Sequence, residues 1–309
     1  MKKALLGISI PVFNQPQLLK YCLQSLRQQT VRDFNVYIYD DASSVSYKEV
    51  IAGFPDLSIY YQKAEKNKGA LNNFVYAYNE TAKKHFFVLK LHEDDQLSPV
   101  FIETVLKAIN TEIKPAILLS KFECFPEHFE GVYENGLEDV PVYNIDREEL
   151  CYRYIKNEAI SFGSAVYNTE DFSNMILDLQ TYSEFADRPF ILNHLKPGHN
   201  IKLIDAPLYY YRNHLNDIRW KGLQVKHVFN LLKLYRNIIK NTYYVVEFKK
   251  LSTSVILDSF KNLRLSGNAP WLPIYILMGY RQKLISTKYL LLRNSFINRN
   301  ITSMKRLIK

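Results

Sequence analysis

The sequence has little of what secreted and membrane-spanning proteins need. It contains three cysteines, Cys22, Cys124 and Cys151, and an odd number at these spacings is a poor basis for a disulfide framework or a metal site. The longest uncharged apolar run of the C-terminal part, residues 265–280, is too short to span a bilayer and includes two prolines. We therefore expect a cytoplasmic protein with reduced thiols and no transmembrane helix.

Acidic residues are almost absent from the C-terminal part. Residues 221–309 contain 17 lysines and arginines against two acidic residues, Glu247 and Asp258, so their net charge is +15. Because the whole chain carries +9, residues 1–220 carry −6. Basic chains commonly bind nucleic acid, anionic membranes or phosphorylated ligands. The composition, 47% hydrophobic and 23% charged, is that of a globular protein and excludes general disorder.

Short apolar runs alternate with helical patterns through the first 220 residues. This alternation predicts an α/β fold around a mostly parallel central sheet. After residue 220 the pattern changes to long helices, of which residues 223–248 are the clearest. We therefore divide the chain into a domain of residues 1–220 and a basic helical region of residues 221–309. The predicted strands are 5–12, 34–39, 57–62, 85–91, 116–122, 160–167 and 201–211, and the other predicted helices are 17–28, 70–83, 99–109 and 184–195.

Two predicted strands end in acidic turns. Asp40 and Asp41 follow the second strand, and Glu93, Asp94 and Asp95 follow the fourth. Ligands of open α/β sheets bind beyond the carboxyl ends of strands. Carboxylates this close repel one another, and Mg²⁺ or Mn²⁺ is the usual compensation. The alternative is that both segments are ordinary solvated turns.

Three further segments carry polar side chains that could act on a ligand. Residues 67–69, Asn-Lys-Gly, precede a helix, where backbone amides could meet a phosphate or simply form a loop. Asp187 lies early in a predicted helix, a position that favours a carboxylate whether or not it is catalytic. Residues 211–214 read Tyr-Arg-Asn-His. An acidic turn, a later carboxylate and this terminal motif in this order indicate a transferase site. No Ser/His/Asp or Cys/His arrangement points to a covalent enzyme intermediate.

Together these motifs resemble a family 2 inverting glycosyltransferase with a GT-A fold, of the type that builds bacterial surface polysaccharides. The resemblance covers roughly residues 4–216, and several motifs in the right order are far more specific than one acidic pair. Its motifs are residues 9–14, 26–30, 39–43, 67–69 and 91–95, then 162–167, 184–187, 196–198 and 207–214. It implies a nucleotide-sugar half at residues 1–98 and an acceptor half at residues 99–220.

The resemblance also implies roles for individual residues. Asp187 corresponds to the catalytic base. Asp95 corresponds to the direct metal ligand, with His214 and Glu93 as further candidates, and the ion is Mn²⁺ or Mg²⁺. Asp94 corresponds to the ribose contact, and Pro11 and Asp41 to the residues that hold the nucleotide base. The implied nucleotide and donor set is Pro11, Phe13, Asn14, Asp41, Asn67, Lys68, Gly69 and Asp94.

The implied function is transfer of a sugar, with inversion, from a nucleotide diphosphate donor to a hydroxyl of a glycan or glycolipid in bacterial surface polysaccharide biosynthesis. A UDP-sugar is the first choice of donor. One alternative is a nucleotidyltransferase, which would carry a Gly-rich phosphate loop after its first strand, where this chain has residues 11–16, Pro-Val-Phe-Asn-Gln-Pro. The other is a non-catalytic protein that binds sugar nucleotides or membranes.

The basic region of residues 221–309 interleaves aromatic side chains with its positive charge. This pattern fits an anionic membrane, and it predicts a peripheral protein at the cytoplasmic face of the inner membrane. The alternative is that these helices pack on the catalytic domain or on a second subunit, which leaves a homo-oligomer open. We do not expect nucleic acid as a partner, because residues 1–220 are acidic and contain no nucleic-acid module.

Overall fold

The computed structural model describes residues 3–132, 140–160, 162–213, 225–241 and 243–252. Strands and helices alternate along the chain, as the apolar patterns predict. The strands are β1 (Ala4–Val12), β2 (Asn35–Asp40), β3 (Ile59–Lys63), β4 (His85–Lys90), β5 (Gln96–Leu97), β6 (Ile117–Pro126), β7 (Val142–Ile145), β8 (Val166–Asn168) and β9 (Ile201–Asn213). The helices are α1 (Pro16–Arg27), α2 (Lys48–Ala52), α3 (Ala70–Ala82), α4 (Phe101–Ile109), α5 (Arg147–Ile155), α6 (Leu179–Tyr182), α7 (Asp187–His194) and α8 (Val225–Ile238), with a 3-10 turn at Ser183–Phe185.

One sheet of nine strands organises the described residues. Its order is β3-β2-β1-β4-β8-β6-β9-β5, with β7 paired to β9. The long strands pair in parallel, β1 with β2 and β4, β2 with β3, and β6 with β9. The short strands β5, β7 and β8 join by antiparallel pairing. The predicted α/β fold with a mostly parallel central sheet is confirmed.

The register of the first strands brings the loop after β1 and the two acidic turns to one edge of the sheet. Val12 at the end of β1 lies opposite Asp40 at the end of β2, and Ser9 on β1 lies opposite Lys90, the last residue of β4. Parallel strands end at a common edge, so the segments that follow β1, β2 and β4 leave the sheet side by side. Ligands of open α/β sheets bind at such an edge.

Apolar side chains from both the helices and the strands form the core beneath this edge. Helix α1 buries Leu19, Cys22, Leu23 and Leu26 against the sheet. Each fully buried side chain of this size contributes about 1.5–3 kcal/mol to folding. The helices thus hold the strand ends in place, and the loops at the edge carry the polar side chains.

The predicted strand at residues 160–167 is formed only from Val166 onward. Ser164 takes the place of a strand residue: its Oγ donates to the backbone oxygen of Ser120 at 2.8 Å and accepts from the Ser120 N–H at 3.1 Å. A turn closed by the Ala165 N–H and the Phe162 oxygen precedes it. A side chain here satisfies backbone groups that a strand would otherwise pair.

The chain divides into two compact units. The first comprises residues 1–146, 159–177 and 193–217, and contains the sheet; the second comprises residues 147–158, 178–192 and 218–309. This division differs from the boundary predicted at residue 220, because two segments of the predicted acceptor half belong with the C-terminal region. We describe each unit by itself.

Helix α8 packs inside the second unit. It contacts α5, α6 and the 3-10 turn. Asn230 of α8 donates a hydrogen bond from Nδ2 to the backbone oxygen of Thr181 at 3.0 Å. Its apolar face is buried, with Val228, Leu231, Leu232 and Tyr235 at most 5% exposed. For α8 the structure therefore supports packing on other parts of the chain, one of the two alternatives stated for the basic region.

The long helix predicted at residues 223–248 is interrupted. Helix α8 ends at Ile238, and residues 243–252 form a further helical segment. Asn241 caps that segment, since its Oδ1 accepts the Tyr243 N–H at 3.0 Å. Glu148 of α5 accepts the N–H groups of Lys240 and Asn241, both at 2.7 Å. These side-chain partners stabilise the break.

Among the described residues, no helix combines the length and apolar character needed to cross a bilayer.

Candidate active site

The turn between β4 and β5 contains a group of side chains that could hold a metal ion. His92, Asp94 and Asp95 each offer one ligand atom, and these atoms lie within 4.8 Å of one another. One imidazole nitrogen and two carboxylate oxygens are suitable ligands for a divalent cation. The structure therefore brings the predicted pair Asp94 and Asp95 together with His92, to which the sequence assigns no role.

Asp95 is the buried member of this group. Its side chain is 0% exposed, its Oδ1 accepts the backbone N–H of Arg212 at 2.9 Å, and its Oδ2 accepts the hydroxyl of Tyr209. Burial, together with the nearby Asp95 charge, raises the pKa of the Tyr209 hydroxyl well above its usual value, so Tyr209 remains a donor. Two hydrogen bonds from β9 thereby hold the acidic turn in place.

The Arg212 side chain ties the same turn to neighbouring backbone. Its Nε donates to the backbone oxygen of Asp94 at 3.0 Å, and its Nη1 donates to the backbone oxygens of Glu127 and Phe129 at 2.7 and 3.0 Å. The residue is 1% exposed. Desolvation lowers the pKa of the guanidinium, and the charges of Asp94 and Asp95 oppose that effect. Arg212 is thus a buried cation beside the two carboxylates.

A cavity of about 210 Å³ opens in front of the turn. Asp94 lines it, as do His92 and Glu93, whereas Asp95 does not. Asp94 is therefore the carboxylate of the pair that faces the cavity, and Asp95 supports it from behind. The lining residues are Pro11, Val12, Phe13, Gln15, Asp41, Ala70, Asn73, Phe74, His92, Glu93 and Asp94. Four predicted donor residues, Pro11, Phe13, Asp41 and Asp94, are among them.

An aromatic side chain forms one wall of this cavity. The Phe74 ring on α3 meets the His92 ring edge to face, with centroids 5.6 Å apart. Behind it, the ammonium of Lys90 lies 3.0 Å from the Phe74 centroid and 3.6 Å from the Phe162 centroid. Lys90 is fully buried. Cation–π contacts of this kind hold the Phe74 ring in place.

The two aspartates after β2 have different surroundings. Asp40 accepts the Ser43 N–H at 2.8 Å and the Tyr61 hydroxyl at 2.5 Å, so it closes the turn. Asp41 lines the cavity and accepts the backbone N–H of Lys68 at 2.8 Å through Oδ1. The turn thus uses Asp40 for its own structure and presents Asp41 to the cavity.

The segment of residues 67–69 lies beside Asp41. Asn67 donates from Nδ2 to the backbone oxygen of Asp41 at 3.1 Å and accepts the Gly69 N–H at 2.9 Å. Gly69 has φ +84°, a conformation that favours glycine. Asn67, Lys68 and Gly69 therefore adjoin the cavity through Asp41, although they are not among its lining residues.

Asn14 is held at the same edge in a left-handed conformation, with φ +58°. Its N–H donates to Ser43 Oγ at 3.0 Å, and its Oδ1 accepts the Ser44 N–H at 2.8 Å. Such backbone strain persists only where surrounding contacts fix it. Asn14 thus ties the loop after β1 to the turn after β2.

Glu93 accepts hydrogen bonds from two other segments of the chain. Its Oε1 accepts the Phe13 N–H at 2.7 Å, and its Oε2 accepts the Tyr47 hydroxyl at 2.7 Å. Burial is the main cause that raises the pKa of Glu93 to about 7, and the two hydrogen bonds oppose it. Glu93 lines the cavity but is not part of the group formed by His92, Asp94 and Asp95.

Asp187, the predicted base, belongs to the second unit and is the first residue of α7. Its side chain is half-buried. Burial raises the pKa of the Tyr154 hydroxyl, and the Asp187 charge adds to that effect. The next residue, Arg188, lies with its guanidinium carbon 5.1 Å from the Tyr154 ring centroid. A carboxylate and an arginine thus share this helix start. His214 lies outside the described residues.

Several residues of the site were not found from the sequence. Tyr47, Tyr209 and Arg212 reach the acidic turn from positions 46 to 118 residues away. The resemblance includes residues 207–214 as a motif but gives no role to Tyr209 or Arg212. No sequence signal distinguished Tyr47 from the other tyrosines.

A family model for glycosyl transferase family 2 matches residues 8–173, which is more than half of the chain. The match includes both acidic turns and the residues that line the cavity. The chain belongs to glycosyl transferase family 2. A comparison with curated proteins finds no match.

Solved structures with the same fold include the Staphylococcus aureus protein TarS. TarS 1–349 in complex with UDP-GlcNAc is 16% identical and has a TM-score of 0.59, with 91% of this chain and 81% of that chain covered. TarS 1–349 in complex with UDP is 14% identical and has a TM-score of 0.57, with 90% and 91% covered. At this identity the likeness shows the fold alone, and the predicted GT-A fold is confirmed.

Proposed function

We propose that this protein transfers a sugar, with inversion, from a nucleotide diphosphate donor to a hydroxyl of a glycan or glycolipid. The observation that carries the proposal is the cavity at the strand ends, which joins Pro11, Phe13 and Asp41 to the acidic turn with Asp94. The family supports sugar transfer as the reaction, and TarS was crystallised with UDP-GlcNAc. A UDP-sugar is therefore the first donor to test.

The acidic turn fits a divalent cation. In our proposal, His92 and Asp94 supply ligand atoms from the cavity side, and Asp95 completes the group from the buried side. Oxygen ligands suit both Mg²⁺ and Mn²⁺, and the nitrogen ligand of His92 favours Mn²⁺. When bound, the ion stabilises negative charge on the departing diphosphate. His214 stays a predicted further ligand.

The chain's own residues perform the remaining tasks. Asp187 takes the proton from the acceptor hydroxyl, whose oxygen attacks the anomeric carbon from the face opposite the leaving group. Asp41 holds the nucleotide base, and Lys68 and Asn67 hold Asp41 in turn. Proton transfer and leaving-group departure then use separate groups, as inversion without an enzyme-bound sugar requires.

A panel of nucleotide sugars, measured by thermal shift with and without Mn²⁺, tests this function. One donor should stabilise the protein, because a ligand at 100 times its Kd adds about 2.7 kcal/mol to the free energy of unfolding. This stabilisation should require Mn²⁺, because in our proposal the ion binds the diphosphate of the donor. Asp33→Asn, a change at an exposed aspartate, should leave this shift intact, whereas Asp94→Asn, which loses the same charge at the cavity, should reduce it. If every donor leaves the melting temperature unchanged, the proposed donor site is wrong.

The two alternative functions predict other results in the same samples. A nucleotidyltransferase would be stabilised by a nucleoside triphosphate in preference to any nucleotide sugar. A non-catalytic binding protein would be stabilised by a nucleotide sugar but would release no nucleoside diphosphate, and Asp187 would then be dispensable.

We further propose that residues 253–309 bring the protein to the cytoplasmic face of the inner membrane, in bacterial surface polysaccharide biosynthesis. These residues contain ten lysines and arginines against one acidic residue, Asp258. Each basic residue near an anionic surface contributes about 1 kcal/mol. Helix α8 is excluded from this role, since its apolar face packs inside the second unit.

Sedimentation with anionic and neutral liposomes tests the membrane role. The full chain should sediment with anionic liposomes only, and a chain ending at residue 252 should stay in the supernatant. Ending the chain at 252 keeps α8, whereas a cut at residue 220 would expose its partners. Equal sedimentation of the two chains would contradict the proposal.

A further inference from the structure

A buried tyrosine links the two loops that form the mouth of the donor cavity. Tyr47 is 0% exposed and lies just before α2. Its hydroxyl accepts the backbone N–H of Gln15 at 2.9 Å and donates to Glu93 Oε2 at 2.7 Å. The other oxygen of Glu93 accepts the Phe13 N–H at 2.7 Å. One phenol and one carboxylate thus join the loop after β1 to the acidic turn after β4.

These contacts determine where the cavity wall stands. Phe13, Gln15 and Glu93 all line the cavity, and the loop of residues 13–15 follows the last residue of β1, where the sheet pairing has ended. Asn14 in this loop has a left-handed backbone that other contacts must hold. The Phe13 and Gln15 amides therefore depend on Glu93 and Tyr47 for their hydrogen bonds.

Both oxygens of Glu93 are occupied by this arrangement. A carboxylate that accepts hydrogen bonds at 2.7 Å on each oxygen is oriented by them. It points its charge at the loop after β1, and it stands apart from the group of His92, Asp94 and Asp95. Its geometry is that of a structural acceptor between two loops.

We propose that Tyr47 and Glu93 are a pair of positioning residues that holds the loop of residues 13–15 in the shape that binds the nucleotide donor. This inference rests on the proposed function and adds a determinant of donor affinity to it. Glu93 acts through the Phe13 amide and Tyr47 rather than as a metal ligand. Neither residue takes part in proton transfer, so the pair affects donor binding and not the chemical step.

Tyr47→Phe removes the hydroxyl and keeps the buried ring. We expect the Kd for UDP in the presence of Mn²⁺, measured by calorimetry, to rise about tenfold, which is comparable to the net contribution of one of the two hydrogen bonds that this variant loses. The donor KM should rise by the same factor, with kcat unchanged within about twofold. Affinity for Mn²⁺ alone should stay the same.

Tyr78→Phe is a matched control. Tyr78 is also 0% exposed, and its hydroxyl donates to the Phe172 backbone oxygen at 2.6 Å. Tyr47→Phe loses two hydrogen bonds and Tyr78→Phe loses one, but only the partners of Tyr47, Gln15 and Glu93, line the cavity. Tyr78→Phe should therefore lower the melting temperature while leaving the Kd for UDP unchanged. Equal UDP affinity in the two variants would overturn the proposal.

A second variant tests whether the two residues act as one unit. Glu93→Gln should also raise the Kd for UDP. The Kd of the double variant should exceed the larger of the two single-variant Kd values by no more than about twofold. Multiplied effects would show that Tyr47 and Glu93 act independently. If Glu93→Gln weakened Mn²⁺ alone more than it weakened UDP, Glu93 would be a ligand and the positioning role would be wrong.

Hydrogen exchange separates this inference from the proposed function. Without any ligand, the amides of Phe13 and Gln15 should exchange at least about tenfold faster in Tyr47→Phe than in the wild-type protein. Unchanged exchange at these amides would refute the positioning role, whatever the enzyme binds. Absence of UDP binding in the wild-type protein, with faster exchange in the variant, would instead refute the proposed donor.

Discussion

The hydroxyl of Tyr209 donates a hydrogen bond to the carboxylate of Asp95, and so strand β9 holds the acidic turn that follows β4. Both groups are fully buried. The second oxygen of Asp95 accepts a backbone N–H three residues further along β9. Groups of β9 therefore hold the turn in this shape, and Asp94 faces the cavity.

Tyr209→Phe should destabilise the first unit. Loss of a hydrogen bond to a charged buried acceptor costs about 1.5–3 kcal/mol. Urea unfolding should show a lower midpoint with an unchanged slope. Tyr143→Phe is the control, because Tyr143 is 50% exposed and its loss should cost under about 0.5 kcal/mol. Equal midpoints for the two variants would mean that the Tyr209 hydroxyl contributes nothing to the turn.

Asp94→Asn and Asp95→Asn should separate metal binding from structure. Asp94 is half-buried and faces the cavity, so its change should weaken Mn²⁺ binding about tenfold or more with little loss of stability. Asp95 is fully buried between Tyr209 and Arg212, so Asp95→Asn should lower both the affinity for Mn²⁺ and the stability of the protein. Mn²⁺ titration and urea unfolding on the same samples measure this. A stable Asp95→Asn protein that has lost only Mn²⁺ would assign Asp95 a purely metal-binding role.

Asp187→Asn should remove the base and leave the donor site intact. General base catalysis contributes about 10²–10⁴ in rate, so kcat should fall by that factor while the Kd for the donor stays within about twofold. Asp178→Asn is the matched control in the same unit. Asp178 caps α6 by accepting the Thr181 N–H at 3.0 Å, and asparagine caps equally well. Near-normal turnover in Asp187→Asn would exclude it as the base.

Leu232→Ala tests the packing of α8 in the second unit. Leu232 is 2% exposed, and removing a buried leucine side chain costs about 2–5 kcal/mol. Lys233→Ala, at the exposed neighbouring position, should cost almost nothing. Urea unfolding compares the two. If both variants unfolded at the wild-type midpoint, α8 would not be part of the folded unit.

The strands at the site could be predicted because their apolar runs are buried on both faces. The predicted ends of β1, β2 and β4 each lie within one residue of the observed ends. The positions of the two acidic turns follow directly from where β2 and β4 end. Parallel strands that end at one edge then bring Asp41 and Asp94 to one cavity. Local pattern and sheet geometry are sufficient for this much.

The supporting contacts could not be predicted in the same way. Tyr47 lies 46 residues from Glu93, and Tyr209 lies 114 residues from Asp95, so no local pattern reports either pair. The same holds for the second unit, where Glu148 on α5 meets the end of α8. These interactions depend on tertiary packing, and a tyrosine in a core position has the same pattern whether or not its hydroxyl has a partner.

Release of nucleoside diphosphate from a panel of nucleotide sugars in the presence of Mn²⁺, with water as the acceptor of the sugar, tests the central claim most directly. The protein should release it from one donor, release should stop when Mn²⁺ is chelated, and Asp187→Asn should reduce it about 10²–10⁴-fold. Release from no donor, or equal release by the wild-type protein and Asp187→Asn, would contradict the proposed glycosyl transfer.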